Sequence, residues 1–416
     1  MKKYFLIALL IFVCAFVARI SFISNIPHLY FDEINYVYDA LKYLNGVFYL
    51  ERESQAVPKH PMISIFFMRQ GIAMFGNTPL GWRFFSALFG ALSAVLLFFL
   101  GKELFNWRTG ILSAFFLTIS PLHIVLSRIA MVEVYLVFFL LLAFCLLAFA
   151  IKRKNNSFLI WSGIFFGLAL ATKWVALLSV LGALAIYSHT KMPRPSRCGF
   201  GVGIYLFLSK DRGKGHRAIG SLLFLPMIVF FVASMLLNLS SGMTVISWLQ
   251  YEVRNFHYHQ IFSYLHPYNV SSWLWPFWAS TPMFEGKRSV IAMGNPFVLW
   301  LMVPVLGYLC CRWWKERDAA LLFILIGFFV NYLSWLVYDL LGLTPFFKSR
   351  GLFFYYFMPA LPFYFIGLGY LLDKMLSHKY ARLAAWTYLL AVVLSFAVLS
   401  PVAYGMEGWL TVIWKR

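Results

Sequence analysis

Long apolar runs recur along the chain, separated by short polar turns, and they set its architecture. The first follows Met1-Lys2-Lys3 and continues to about Ile23. No small-residue cleavage pattern comes after it, which predicts an uncleaved first span. Three more spans are expected at about 79–100, 110–126 and 130–151. Residues 158–188 are apolar apart from Lys173, too long for one crossing and short for two. They read as two short helices meeting near Lys173 on the outer side. Spans seven to eleven fall at about 218–239, 296–311, 319–338, 352–372 and 383–400. The pattern predicts one all-α integral membrane domain, 1–416, of about eleven transmembrane helices. Two long loops, 24–78 and 240–294, and a basic loop, 189–217, interrupt it.

Within the first long loop, Ile34, Val37, Leu41 and Leu44 recur at helical spacing, and Asn45-Gly46 ends the pattern. Residues 31–46 therefore read as an amphipathic helix lying on a membrane surface. Asp32 and Glu33 stand at its N-terminal end, where carboxylates suit the helix dipole. From this stretch alone they are either a cap and first-turn charge or a pair with chemistry to do.

Composition sharpens the reading. Hydrophobic residues are 62% of 416 positions and charged residues 12%, which excludes an ordinary soluble domain. The net charge of +20 raises nucleic acid as a partner, but its distribution excludes that. With the N-terminus inside, 20 of the 35 Lys and Arg fall at the start and in the short segments 102–108, 152–154, 189–217, 311–317 and 373–382. That asymmetry follows the positive-inside rule. Both long loops and the C-terminus then face outward, from a plasma or inner membrane, or from the ER membrane in a eukaryote. The five cysteines lie in apolar runs, at a run's inner end, or in the basic inner loop, and imply no disulfide framework.

Ionisable groups near apolar spans are costly and usually face a cavity or a partner. The outward side collects Asp32, Glu33, His60, Arg83, Arg128, Glu133, Lys173, His257, His259, His266 and Arg350. If they converge, they form a cationic pocket with a few carboxylates, suited to an anionic lipid-linked substrate. The cations would hold a phosphate and a carboxylate would act as base. Taken singly, each Arg reads equally well as a snorkelling side chain or half of an ion pair. His257-x-His259 is too sparse to specify a metal site. The aromatic stretch 248–278 fits either an interfacial belt or a surface on which sugar rings stack.

Several motifs, in order and spacing over nearly the whole chain, resemble the dolichyl- or polyprenyl-phosphate-mannose protein mannosyltransferases of the GT-C fold. They are Asp32-Glu33, His60-Pro61, Arg83 in GWRFFSALFGAL, SRIAMVEVYLVFF (127–139), GLALATKWVALL (167–178), HPYNVSSWLWPFW (266–278), GNP (294–296) and Arg350 with FFYYFMPALPF. The chain departs from the family pattern at Pro58, Met62, Glu133 and Tyr356. At about 55 residues, the 240–294 loop lacks room for the β-trefoil insert of eukaryotic members, so the likeness is to a prokaryotic-type member.

The resemblance implies an inverting transfer of mannose from polyprenyl-phosphate mannose to Ser or Thr hydroxyls of a secreted or membrane protein. It makes Asp32 the catalytic base, with Glu33 orienting it or the acceptor. Arg83, Arg128, Lys173 and Arg350 become the candidates for donor binding. His60, Glu133, His257, His266, Trp273 and Trp275 become candidates for the acceptor or sugar pocket. No metal or other cofactor is expected, because the lipid-linked sugar is a substrate. Two rivals are a same-fold glycosyltransferase acting on a lipid or cell-envelope glycan, and a transporter of a lipid-linked sugar. The transporter would need repeated helices with charges at the midplane, and no such repeat is present.

Overall fold

The computed structural model describes residues 2–46, 60–191, 212–261, 267–277, 279–284, 290–342 and 351–406. The first half runs α1 (Lys2–Ile20), α2 (Glu33–Leu44), α3 (Ile63–Phe75), α4 (Pro79–Leu104), α5 (Trp107–Thr118), α6 (Pro121–Ser127), α7 (Val132–Arg153) and α8 (Asn156–Leu170). The second half runs α9 (Ala176–Lys191), α10 (His216–Ser240), α11 (Val245–Ile261), strands β1 (Ser280–Phe284) and β2 (Val290–Met293), α12 (Pro296–Glu316), α13 (Ala319–Gly342), α14 (Leu361–Ser377) and α15 (Arg382–Ala403).

Each expected span falls on a helix or a helix pair. Among the described residues, seven helices are long and apolar enough to cross a membrane, eight if α5 and α6 are one bent span. The chain is a multi-pass membrane protein. Its outer surface fits that solvent: Phe5, Leu6 and Leu10 of α1 and Leu383, Trp386 and Leu390 of α15 are exposed, as side chains facing lipid tails would be. The centre is α4 and α7, buried along most of their length. α1, α3 and α5 pack on α4, α8 packs on α7, and α14 packs on α5.

Four expectations need correction. The expected span 110–126 is broken, with α5 and α6 meeting at 62°. Ser120 caps α6 through its hydroxyl and Pro121 follows, so the chain ends one helix and starts another. Span ten starts at Leu361 rather than 352, because Phe354–Phe357 forms a 3-10 turn before it. The first long loop contains the apolar helix α3, and the second contains α11 and an antiparallel β1–β2 hairpin in an otherwise helical fold. The face of α2 also differs from the expected one. Glu33, Tyr36, Val37, Ala40 and Tyr43 are buried, while Ile34 is 42% exposed. The helix packs on α3, and the tie between Glu33 and the bundle turns that face inward.

A set of basic residues collects at one end. Lys3 lies over Trp107, Lys102 over Tyr4, and Arg153 over Phe149 and Phe158. Asn106 donates to Asp373 at 2.7 Å. These contacts, with Lys152 of α7 donating to the Glu103 carbonyl of α4, gather the start of α1, the α4–α5 turn and the ends of α7 and α14 at a single basic end. Asp32, Arg83, Arg128, Glu133 and Lys173 stand at the opposite helix ends.

Candidate active site

Arg83, near the start of α4, is 1% exposed. Its Nε and one terminal nitrogen donate to the two Glu33 oxygens at 2.7 and 2.8 Å. Its remaining donors reach the carbonyls of Ile23, Ile26 and His28 at 2.9–3.1 Å. Glu33 also accepts from the Ala130 backbone N–H at 2.9 Å. A planar fork against a carboxylate is the strongest geometry open to such a pair, and it suits a fully buried one. Arg83 and Glu33 thus clamp the chain between α1 and α2 onto the bundle.

Arg128 does the same one layer out. It donates to the Arg19, Ser21 and Phe22 carbonyls at the end of α1, and its guanidinium lies 4.4 Å from the Tyr404 ring centre. Helix C-termini leave carbonyls unpaired, and Arg128 satisfies them. Arg19 itself points into the protein. It donates to the Ala15 and Leu117 carbonyls and lies 2.9 Å from His123 Nδ1.

With the loop clamped, Asp32 sits at the start of α2. The Tyr355 hydroxyl donates to its Oδ2 at 3.2 Å. Tyr355 comes from the 3-10 turn ahead of α14 and is buried, stacked on Phe353 and edge-on to Phe31 and Tyr356. Burial above all, then the nearby Tyr356, Asp32, Glu133 and Tyr36, pushes the Tyr355 hydroxyl well above its usual range, so it stays a donor. Phe31, just before Asp32, holds a left-handed backbone (φ 54°), a conformation costing about 1–3 kcal/mol that its contacts with Phe353 and Tyr355 sustain.

Beside this group, Lys173 from the α8–α9 turn reaches Glu133 at 2.7 Å, and its ammonium lies 4.6 Å from the Tyr356 ring centre. Glu133 is 2% exposed and its second oxygen lacks a hydrogen bond among the described residues. Tyr356 stacks on Trp335. His60 adjoins Tyr36, ring centres 6.1 Å apart. The site thus brings together Asp32, Tyr36, His60, Glu133, Lys173, Tyr355 and Tyr356.

Other expected residues sit elsewhere. Trp275 is fully buried, packs on Tyr332 and Phe357, and donates its indole N–H to the Val270 carbonyl. Trp273 is 55% exposed. Arg350, His266 and the side chain of His257 lie outside the described residues. Among the described residues no three His, Cys, Asp or Glu come together as a metal cluster. Tyr355 and Tyr36 were missed from the sequence. Tyr355 stands in the aromatic run after Arg350, and Tyr36 one turn past Asp32 on α2.

The chain is similar in sequence and fold to known proteins. Residues 59–197 match the family described as dolichyl-phosphate-mannose-protein mannosyltransferase. The chain is 24% identical, over 92% of its length and 85% of the relative's, to the polyprenol-phosphate-mannose–protein mannosyltransferase of Mycobacterium tuberculosis. It is 23% identical to the protein of that name from Corynebacterium glutamicum, over 83% of this chain and 78% of that one. Its fold is similar to a chain of the Saccharomyces cerevisiae protein O-mannosyltransferase Pmt1–Pmt2 complex bound to the sugar donor, with TM-score 0.77 and 14% identity over 97% of this chain and 90% of that one. A more distant likeness, TM-score 0.55 at 14% identity, is to ArnT from Cupriavidus metallidurans bound to undecaprenyl phosphate, over 99% of this chain and 76% of that one.

Proposed function

We propose that this chain, a relative of the polyprenyl-phosphate-mannose protein mannosyltransferases, transfers mannose from a polyprenyl-phosphate donor to Ser or Thr hydroxyls of proteins on the outer side of the membrane. The observation that carries the mechanism is Asp32, held at the helix ends by a clamped loop and by the Tyr355 hydroxyl, with Lys173 over the ring of the neighbouring Tyr356.

An alcohol is a weak nucleophile at neutral pH. As its oxygen bonds to the anomeric carbon, Asp32 takes its proton. The bond between that carbon and the donor phosphate oxygen breaks in the same displacement, so the configuration inverts and polyprenyl phosphate leaves. Lys173, with Arg350 as a second candidate, stabilises the charge on the departing phosphate. Arg83 and Arg128, whose donors serve Glu33 and backbone carbonyls, fix the loop that carries the base. The scheme routes no step through a metal, because the leaving group is a monophosphate held by fixed cations. Eleven crossings with the N-terminus inside put Asp32 and both long loops on the outer side, and the basic end described above faces inward as the positive-inside rule requires.

The test is transfer from labelled polyprenyl-phosphate mannose to a Ser/Thr-rich peptide by the purified protein. Labelled peptide supports the reading. Labelled lipid or glycan, with the peptide unlabelled, replaces the acceptor while keeping the reaction.

A further inference from the structure

At the basic end of the protein, α12 and α13 form a hairpin that turns through Arg317, in a left-handed conformation, and Asp318. Against it lies an apolar cavity of about 570 Å³, lined by Cys310, Trp313 and Trp314 of α12 and by Leu322, Ile326 and Phe329 of α13, with Lys315 at its edge. That volume is ordinary for a site that takes a small molecule. Arg317 lies over the two indoles, 4.3 Å from the Trp314 ring centre and 5.1 Å from that of Trp313. Stacking uses the face of the guanidinium and leaves its N–H edge for an oxyanion. The same turn of α12 carries two buried donors, Arg312 Nε and Trp313 Nε1, with no hydrogen-bond partner among the described residues. Arg312 otherwise pairs with Glu316 at 2.6 Å.

An apolar slot with Lys315 and Arg317 at one end describes a ligand with a hydrocarbon tail and an anionic head. We propose that this groove binds one anionic phospholipid, its acyl chain against α12 and α13 and its phosphate on Lys315 and Arg317. The charges of the groove and the lipid head are complementary, and basic pockets between membrane helices hold such head groups.

The occupant is distinct from the donor lipid. Arg312 stands 3.5 Å from the Tyr370 hydroxyl, and Tyr370 lies nine residues, about 14 Å, along α14 from Leu361, on the side away from Tyr355. A donor whose phosphate lay in this groove would be separated from Asp32 by that stretch of α14, at least about 14 Å along the helix. The proposal therefore stands whether or not the transfer reaction does.

Native mass spectrometry of the purified full-length chain, titrated with phosphatidylglycerol or with phosphatidylcholine of the same acyl chains, tests it without an activity assay. One phosphatidylglycerol per chain should survive activation that strips phosphatidylcholine. Lys315→Gln with Arg317→Gln should weaken its binding by about twenty-five-fold, from about fivefold per charge removed. Cys311→Trp, at an exposed position that lines the slot, should abolish retention with the charges intact. Gel filtration checks that each variant is folded, and Lys315→Arg should bind as the wild type does. Equal retention of both lipids, full binding by the folded variants, or a dimer of this chain that carries no lipid would overturn the proposal.

Discussion

Arg83 grips both oxygens of Glu33 across 50 residues of sequence, and the pair is shut away from solvent. Removing one partner leaves a buried charge unpaired, at about 3–5 kcal/mol. Arg83→Ala and Glu33→Ala should each lower the unfolding temperature sharply in detergent. Arg83→Lys should recover little, because an ammonium cannot serve a carboxylate and three carbonyls at once. The double variant Glu33→Gln/Arg83→Met should cost less than the sum of the single changes, which a double-mutant cycle would read.

Asp32→Asn keeps the shape of the side chain and removes the base. Transfer should fall by about 10²–10⁴-fold, the usual contribution of a positioned base. Donor affinity, followed by retention of labelled donor, should be unchanged. Equal activity in both forms would discard Asp32 as the base.

Tyr355→Phe keeps the ring stack and deletes one hydrogen bond. A donor to a carboxylate favours its charged form, so losing it makes Asp32 easier to protonate. The acid limb of the pH–rate profile should move to higher pH, with a fall in kcat of about tenfold, the worth of one hydrogen bond to a charged group. The donor KM should hold. An unshifted acid limb would leave Tyr355 a packing residue.

Lys173 and Glu133 should separate by ligand. Lys173→Met should weaken donor binding and leave Glu133 buried without its cation, so both affinity and stability fall. Glu133→Gln keeps Lys173 against Tyr356 and should leave donor affinity within a few-fold of wild type. Donor titrations at low and high salt would tell the two apart.

Gly90 is a packing test away from the site. A Cβ there would run into Ser127 of α6 and the Arg19 guanidinium. Gly90→Ala should destabilise by about 1–3 kcal/mol, the usual cost of overpacking, seen as an earlier unfolding transition.

The seven or eight helices of crossing length were legible because an apolar run of that length has one ready explanation. The meeting of α8 and α9 near Lys173 was legible for the same reason, since a charge there must lie at a helix end. α3 was not, because its 13 residues fall short of a crossing and sit in a loop that otherwise reads as polar. β1 and β2 are too short for their alternation to stand out, and all four residues of β2 are buried. In the site, the acidic pair stands out by its charge, but charge alone does not reveal its partner. Arg83 read as a phosphate ligand, and its geometry ties it to Glu33 instead. Trp275 read as a sugar platform and packs in the core. Tyr355 carried no charge to mark it.

The link between Asp32 and Tyr355 also dictates an order of biogenesis. The two are 323 residues apart in sequence, with most of the bundle made between them. At about 5–20 residues per second, a ribosome needs roughly half a minute to reach the second after the first. During that interval Asp32 is already synthesised while its hydroxyl partner is not yet made. An unfinished chain is therefore a membrane-inserted protein without a finished site, and a nascent chain truncated ahead of the turn at Phe354–Phe357 should insert stably yet transfer nothing.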